Sequence, residues 1–578
     1  MPKLQLLAEV VPRTELKLSL RKNPAWVSDS HRRYSYVLSP PLACDYAYEI
    51  YKRVNEKVKP LSHFITKIPL GKLGVRFLSL ALKTKFSGFP IPLYRIPYET
   101  WRLAPFQRQE LIQAITQLLQ GRLLQEPLIE NQLRKQGWWP ADISRALDWG
   151  TAEGKFSFLP GALKYPWGVT KCSRCSSQIT EYWPCFECGR SKCPICLACD
   201  SLGPIRGCSR LWTSSVENET NSLVKGSKLP ISFCLNFSLT QAQERASAKL
   251  VEFLHSDRRH VLVWAACGAG KTEVTFAAIE QILKSNEQVL FAVPRRDVVI
   301  QLADRIKSAF SNVDIAVHYG GKPWEQNGQL VIATTHQALR FNRRFALVIL
   351  DEVDAYPYQG SEILRYAIKR SLKSNAKLIE MTATPVKLPS PSSLITIPAR
   401  YHGHPLPEPS LLKIKLPDIR SLADDFQLPN EVISIIRRRS APWLVFVPTI
   451  AAVKAVAESL TKQLDKKVCY CYAADPHRDQ KREALINGDY QVMAATSIME
   501  RGITVPNIQV MVLYCNHHVY HVNALVQMAG RVGRTAEYAD GEVWFVCETV
   551  DDKVKSAQKR IRFLNQQAKA QGLLREFY

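Results

Sequence analysis

The stretch Cys267-Gly268-Ala269-Gly270-Lys271-Thr272 has the residue types needed to hold a nucleotide's phosphates. Glycines at 268 and 270 let the backbone approach closely, and N–H groups at the start of a helix face the anion. Lys271 would reach the β- and γ-phosphates, and the Thr272 hydroxyl would sit on Mg²⁺. Ala265 and Ala266 lead into the turn, and Ala265 stands where the pattern GxxxxGKT has its first glycine. Further on, "VILDEVD" brings Asp351 and Glu352 to the end of an apolar run. One carboxylate can hold Mg²⁺ there while the next polarises an attacking water. Turn and acidic pair together predict a nucleoside triphosphatase using Mg²⁺.

A second chemistry is concentrated elsewhere. Eight of the 15 cysteines lie from Cys172 to Cys208, seven of them in "CSRC", "CFEC" and "CPICLAC" and the eighth at Cys208. Two residues between cysteines let both thiolates turn onto one metal, and two such pairs surround Zn²⁺ tetrahedrally. Cys172, Cys175, Cys196 and Cys199 make one complete set. Cys185, Cys188 and Cys193 could form a second with Cys208, so one zinc ion is expected and a second is left open. A closed four-thiolate site keeps no position for water, so its role is structural or strand-gripping rather than catalytic.

These residues need a scaffold. "HVLVWAA" reads as a strand feeding the phosphate turn, with "EVTFAAIEQIL" as the helix after it. "QVLFAVP", "QLVIATT", "FALVILDE" and "AKLIEMTAT" continue the alternation of a doubly wound parallel sheet. A proline-rich stretch intervenes, expected to lack regular structure. "PWLVFVP", "KVCYCYA", "YQVMAATS", "IQVMVLY" and "EVWFVC" then make a second sheet, followed by a helix over Asp551–Leu564. Before all this, Leu111, Ile115, Leu118 and Leu119 have helical spacing, and "PADISRALDWG" reads as another helix. The expected organisation is a partly helical domain over 1–165, a zinc-binding module over 166–212, a linker over 213–236, an ATP-binding lobe over 237–390, a connector over 391–418 and a second lobe over 419–578. Trp138, Trp139, Trp149, Trp167 and Trp183 are expected to pack in the core of the small N-terminal part rather than stack on bases.

At 578 residues the chain exceeds a single core, and 46% apolar with 22% charged residues is the composition of a folded soluble protein. No apolar run reaches membrane-span length, and "MPKLQLLAEVVPRTELKLSL" lacks a signal peptide's apolar middle. A cytoplasmic location is expected. The net charge of +25 points to a polyanionic partner, nucleic acid before an anionic membrane.

In order along roughly residues 237–550, "LTQAQ", "AACGAGKT", "PRRD", "TTHQAL", "DEVD", "TAT", "VFVPT", "TSIMERGITVP" and "QMAGRVGR" resemble the motif series of superfamily 2 helicases and translocases. The resemblance implies two tandem RecA-like lobes with ATP between them. Arg531 and Arg534, with Gln527 in the same motif, would act from the second lobe, the arginines as fingers on the γ-phosphate. Gln243 would read the adenine edge. Thr382 and Thr384, with Gly502, would couple the phosphate site to the strand groove. Arg295, Thr335 and Thr496 would contact backbone phosphates of the nucleic acid, without regard to base sequence.

The cysteine cluster precedes the ATPase motifs, whereas helicases of the PriA type carry theirs after the first ones. With "YGG", "DEVDAYPY", "IPARYHGHPLPEP", "ERGITVP" and "EYADGEV", the order closely resembles the ComFA family, late-competence ATPases that help draw single-stranded DNA into the cytosol. That resemblance places the family's four zinc-binding cysteines on Cys172, Cys175, Cys196 and Cys199. It implies ATP hydrolysis stimulated by single-stranded DNA, a ComFC-type partner, a place beside the membrane DNA-uptake channel at the cytoplasmic face, and leaves self-association open. The competing readings are a replication-restart or repair helicase like PriA, and a zinc-containing scaffold with a degenerate ATPase. Intact Lys271, Asp351, Glu352, Arg531 and Arg534 weigh against the scaffold.

Overall fold

The computed structural model describes residues 5–11, 15–21, 34–37, 103, 105–152, 154–215, 231–322, 328–385, 390, 393–419, 426–497 and 505–575. Gly502 lies outside them.

Val289–Val293 and Leu330–Thr334 are buried at every position, the mark of strands covered on both faces. They belong to a seven-stranded sheet in the order Ile315–His318, Leu330–Thr334, Val289–Val293, Phe345–Leu350, Leu372–Thr382, His260–Ala265 and Leu394–Ile397. Every neighbouring pair is parallel. Parallel strands end on one edge, so the phosphate turn after Ala265 and Asp351 after Leu350 emerge at the same edge, on either side of the end of Leu372–Thr382.

A second parallel sheet has six strands, ordered Ser410–Lys413, Val543–Cys547, Gln509–Leu513, Trp443–Phe446, Val492–Ala495 and Val468–Cys471. The final helix, Asp552–Ala570, is capped by the Asp551 carboxylate, which accepts from Val554 N at 3.1 Å. It buries Val554, Ala557, Ile561 and Leu564 at the spacing read from sequence. Its Phe563 stacks on Trp264 of the first sheet at 5.5 Å, joining the lobes.

The proline-rich stretch is more regular than expected. Leu394–Ile397 pairs with Leu262–Ala265, and Ser410–Lys413 pairs with Trp544–Cys547, one strand for each sheet. The prolines flank these short runs rather than interrupt them, so no ladder hydrogen bond is lost.

Ahead of the lobes, helices Pro105–Leu119, Glu126–Arg134 and Pro140–Ala152 pack beside a small antiparallel sheet of Leu124–Gln125, Arg210–Ser214 and Phe156–Pro160. The strands on either side of the cysteine segment therefore pair with each other. Arg210 locks them: it is buried, donates to both oxygens of Glu126 at 2.8 and 2.9 Å, and reaches Asp148 at 3.0 Å.

One expectation for this part changes. Of the tryptophans, Trp149 is buried, but Trp139 and Trp167 are 74% and 69% exposed, and Trp183 is exposed too. Trp212, in the small sheet, is the indole that is fully buried there. The cysteine segment packs directly on the first lobe. Cys172, Cys175, Cys196 and Cys199 share one apolar core with Leu290, Phe345, Val348 and Ile368 of the first lobe. Arg370 of helix Glu362–Ser371 clamps the junction, donating to the carbonyls of Arg174, Leu339 and Phe341.

Candidate nucleotide site and cysteine clusters

Strand His260–Ala265 delivers the chain into the turn with Gly268 at φ +84° and Gly270 at φ +68°, a region L side chains avoid. A Cβ on Gly270 would lie 2.3 Å from Gln243 Nε2. Gln243 uses both ends of its amide. Its Nε2 donates to Ala269 O at 3.0 Å, and its Oε1 accepts from Thr240 N at 2.8 Å in a capping box. It therefore props the turn while lining the cavity beside it. After Thr272 a single 3-10 turn, Glu273–Thr275, precedes the helix Phe276–Lys284, which starts later than its apolar pattern suggested.

Lys271 Nζ lies 3.2 Å from Asp351 Oδ1. Burial disfavours the ammonium, but the combined charge of Asp351, Glu352 and Asp354 outweighs it and holds Lys271 above its ordinary pKa. Burial and the neighbouring Glu352 push the Asp351 carboxyl upward. Glu352 adopts φ +55°, a strained conformation for a side-chain-bearing residue, with its N–H donating to Asp351 Oδ1 at 2.7 Å. Two adjacent carboxylates beside one lysine suit a site awaiting Mg·ATP. Lys271 can move to phosphate, leaving Asp351, with the Thr272 hydroxyl, to hold the cation.

Around these residues is a cavity of about 770 Å³. Gln243, Lys271, Thr272, Asp351 and Glu352 line it from the first lobe, and Gln527, Arg531 and Arg534 from the second. The lobes meet closely: a Cβ on Gly530 would lie 2.7 Å from Cys267 Sγ. Burial lowers the Arg534 pKa, opposed by Cys267 and Glu352, and its Nε donates to Gly530 O at 3.1 Å. Arg531 is buried in the same wall. Both arginines thus face the phosphate turn from the opposite lobe.

A residue to which sequence reading gave no role, Asp354, organises the seam. Thr382 Oγ1 donates to its Oδ1 at 2.7 Å, and Thr384 Oγ1 to its Oδ2 at 2.5 Å. Gln527 Nε2 donates to Oδ2 at 2.7 Å from the second lobe. The signal was available as the last residue of "DEVD", three positions after the Mg²⁺ carboxylate.

The residues expected on the DNA are dispersed in burial. Arg295 is half-buried and precedes helix Arg296–Ala309. Thr496 is half-buried, its N–H donating to Cys471 O at 3.3 Å. Thr335 is fully buried at the start of the 3-10 turn Thr335–Arg340, so its hydroxyl does not face a groove in this conformation.

The cysteines sort into two groups, Cys172, Cys175, Cys196, Cys199 and Cys185, Cys188, Cys193, Cys208, as the sequence reading divided them. In each, the Sγ atoms all lie within 4.8 Å of one another. The shorter separations run from 3.6 Å, Cys175–Cys196 and Cys185–Cys208, to 3.9 Å, Cys172–Cys199 and Cys193–Cys208. A disulfide needs about 2.05 Å, whereas sulfurs about 2.3 Å from a tetrahedral zinc are about 3.8 Å apart. Arg174 Nη2 donates to Cys199 Sγ at 3.1 Å, as a cation would to a thiolate.

Residues 236–387 match the model of the type III restriction enzyme res subunit, and residues 427–536 that of the helicase conserved C-terminal domain. Competence protein ComFA of Bacillus subtilis is 33% identical over 410 residues, 69% of this chain and 86% of that protein. Competence protein ComFA of Streptococcus pneumoniae is 31% identical over 70% of this chain and 93% of that protein. This chain belongs to the ComFA family. More distant is the ATP-dependent DNA helicase RecG of Thermotoga maritima, 26% identical over 57% of this chain and 44% of that protein.

As a ComFA-family, superfamily 2 helicase, the chain is an ATP-dependent enzyme using Mg²⁺, and the inter-lobe cavity is its candidate site. Arg400, Tyr401 and Phe237 are further residues that sequence reading missed. Tyr401 and Phe237 line the cavity, and Arg400 lies behind it. Arg400 and Tyr401 fall within "IPARYHGHP", quoted for its family likeness without a chemical role.

Proposed function

We propose that this chain hydrolyses ATP to travel along single-stranded DNA, and that the travel draws DNA into the cytosol during natural competence. The observation that carries the reading is the joint lining of one cavity by Lys271, Asp351 and Glu352 from one lobe and by Arg531 and Arg534 from the other. A motor needs that arrangement, because ATP then favours closed lobes and hydrolysis removes the bridge between them. Lys271, Asp351 and Glu352 bind and polarise; Arg531 and Arg534 stabilise charge in transfer. Asp354, bonded to Thr382, Thr384 and Gln527, is the joint through which cleavage reaches the strand groove. Competence proteins head the relatives, which supports uptake over repair as the role.

Both cysteine groups are proposed to hold Zn²⁺, on the fit of their sulfur separations to a tetrahedron. The ion would supply cross-linking of the fold rather than chemistry on substrate. A ComFC-type partner and a station at the cytoplasmic face beside the uptake channel belong to the same reading. Among the described residues no helix is long and apolar enough to cross a membrane, so that station would be peripheral.

The decisive experiment measures ATP turnover against added single-stranded DNA and blunt or forked duplex. Single strands should raise turnover many-fold, with little unwinding of duplex; Lys271→Ala should keep DNA binding and abolish turnover. Efficient unwinding of forked duplex would favour the restart or repair reading.

A further inference from the structure

The segment Ile397–His404 is bound at both ends to the machinery on either side of it. Toward the first lobe, Ile397 O accepts from Ala266 N at 2.8 Å, and Tyr401 N donates to Gly268 O at 3.3 Å. Both partners lie in the phosphate turn. Toward the second lobe, Arg400 Nη2 donates to Val532 O at 2.8 Å and Nη1 to Gly533 O at 2.5 Å. His402 Nε2 lies 3.0 Å from the same Gly533 carbonyl. Val532 and Gly533 are the two residues between Arg531 and Arg534.

The fit is specific. Gly533 has φ +66°, and a Cβ there would lie 2.1 Å from Ala539 O and 2.7 Å from Arg400 Nη1. Arg400 and His402 are both almost fully buried. His404 N donates to His402 Nδ1 at 3.2 Å, which leaves the proton on Nε2, aimed at Gly533 O. A planar guanidinium reaching two successive carbonyls fixes their plane, which a lysine's single ammonium cannot do.

We infer that Arg400, assisted by His402, is a positioning residue for the arginine turn: the connector is a strap that ties the placement of Arg531 and Arg534 to the phosphate turn. This inference rests on the proposed ATPase. It gives the connector a task within the catalytic cycle rather than that of a passive link. When nucleotide reshapes Ala266–Gly268, the strap carries the displacement to Val532–Gly533 within the length of eight residues, 397 to 404. A finger misplaced by about 1 Å loses about a hundredfold in rate, so small strap motions are enough to gate turnover.

The test compares Arg400→Ala, Arg400→Lys, Arg534→Ala and Arg400→Ala/Arg534→Ala in the full chain. The readouts are kcat with single-stranded DNA, affinity for ADP, and affinity for ADP with aluminium fluoride, which mimics the transferring phosphoryl group. Arg400→Ala should lower kcat by about 10²-fold and weaken the aluminium fluoride complex in proportion, with ADP affinity within about twofold of wild type. Arg400→Lys should fall between. The double variant should lose less than the product of the two single losses, because Arg400 acts partly through Arg534. Wild-type kcat in both Arg400 variants, equal loss of ADP and analogue affinity, or multiplied losses in the double variant would overturn the inference. Arg400→Lys guards against a folding defect in the alanine variant. A wild-type chain that hydrolyses no ATP would instead bring down the proposed function, and the strap with it.

Discussion

Gln527 donates to Asp354 across 2.7 Å, and the two residues stand in different lobes, 173 positions apart in the chain. The same carboxylate accepts from Thr382 and Thr384. Three side chains from two motifs thus share one buried acid, and the lobes cannot separate without one of them losing its partner. In a closed, low-dielectric seam such a network is stiff when satisfied and costly when partly broken.

Replacing Asp354 by Asn should therefore do more than remove a charge. The carboxamide's nitrogen must face one donor, leaving it unpaired at a cost of about 1–3 kcal/mol. We expect Asp354→Asn to bind ATP nearly as wild type and to lose about 10² in DNA-stimulated kcat, checked by nucleotide titration beside steady-state turnover. Normal kcat would remove Asp354 from the coupling path.

The Lys271–Asp351 pair predicts a separation of stability from activity. Lys271→Met leaves a buried carboxylate without its cation, at a cost of about 3 kcal/mol in the nucleotide-free chain. Adding Asp351→Asn should recover most of that stability and none of the turnover. Denaturant midpoints and ATPase assays on the single and double variants would check both halves. Restored hydrolysis in the double variant would contradict the roles given to both residues.

The two cysteine groups should differ in consequence. Elemental analysis is expected to find two zinc ions per chain. Cys172→Ser should lose one and lower the thermal midpoint of the first lobe, since its sulfur lies in that lobe's core. Cys185→Ser should lose the other and leave ATP turnover unchanged, because its group forms a separate small cluster. One ion in the wild type would limit the metal site to a single group.

His402 predicts a pH dependence. Burial, then Arg400, His404 and Arg575, lower its pKa from an ordinary 6.5 to about 4. A group whose folded pKa is depressed favours folding fully above its free value, and that contribution drains away as pH falls from about 6.5 toward 4. Between pH 6.5 and 5 the wild type should lose stability faster than His402→Gln, whose amide keeps a donor for Gly533 without titrating. Parallel slopes for the two chains would show that the imidazole is not the group responsible.

Much of the catalytic half was legible beforehand because it is local. A glycine at φ +84° followed by another at φ +68° is a property of a few consecutive residues, and so is the grouping of cysteines by CxxC spacing. The alternating apolar runs identified both sheets for the same reason: strand burial on two faces is written into each run separately. The proline content of 391–418 misled, since composition averages over the two four-residue strands lying between the prolines.

What the amino-acid sequence determined alone was the chemical inventory: a phosphate turn, a Mg²⁺ acid pair, two arginines in a second lobe and two sets of thiols. Tertiary structure alone decided that Arg400 reaches the arginine turn, that Asp354 collects three side chains from two other motifs, that Thr335 is buried, and that the first thiol set belongs to the ATPase lobe's own core. Those outcomes depend on surfaces meeting across long sequence separations. Burial and hydrogen-bond geometry at such meetings are set by packing of whole elements, which no short stretch of residues encodes by itself.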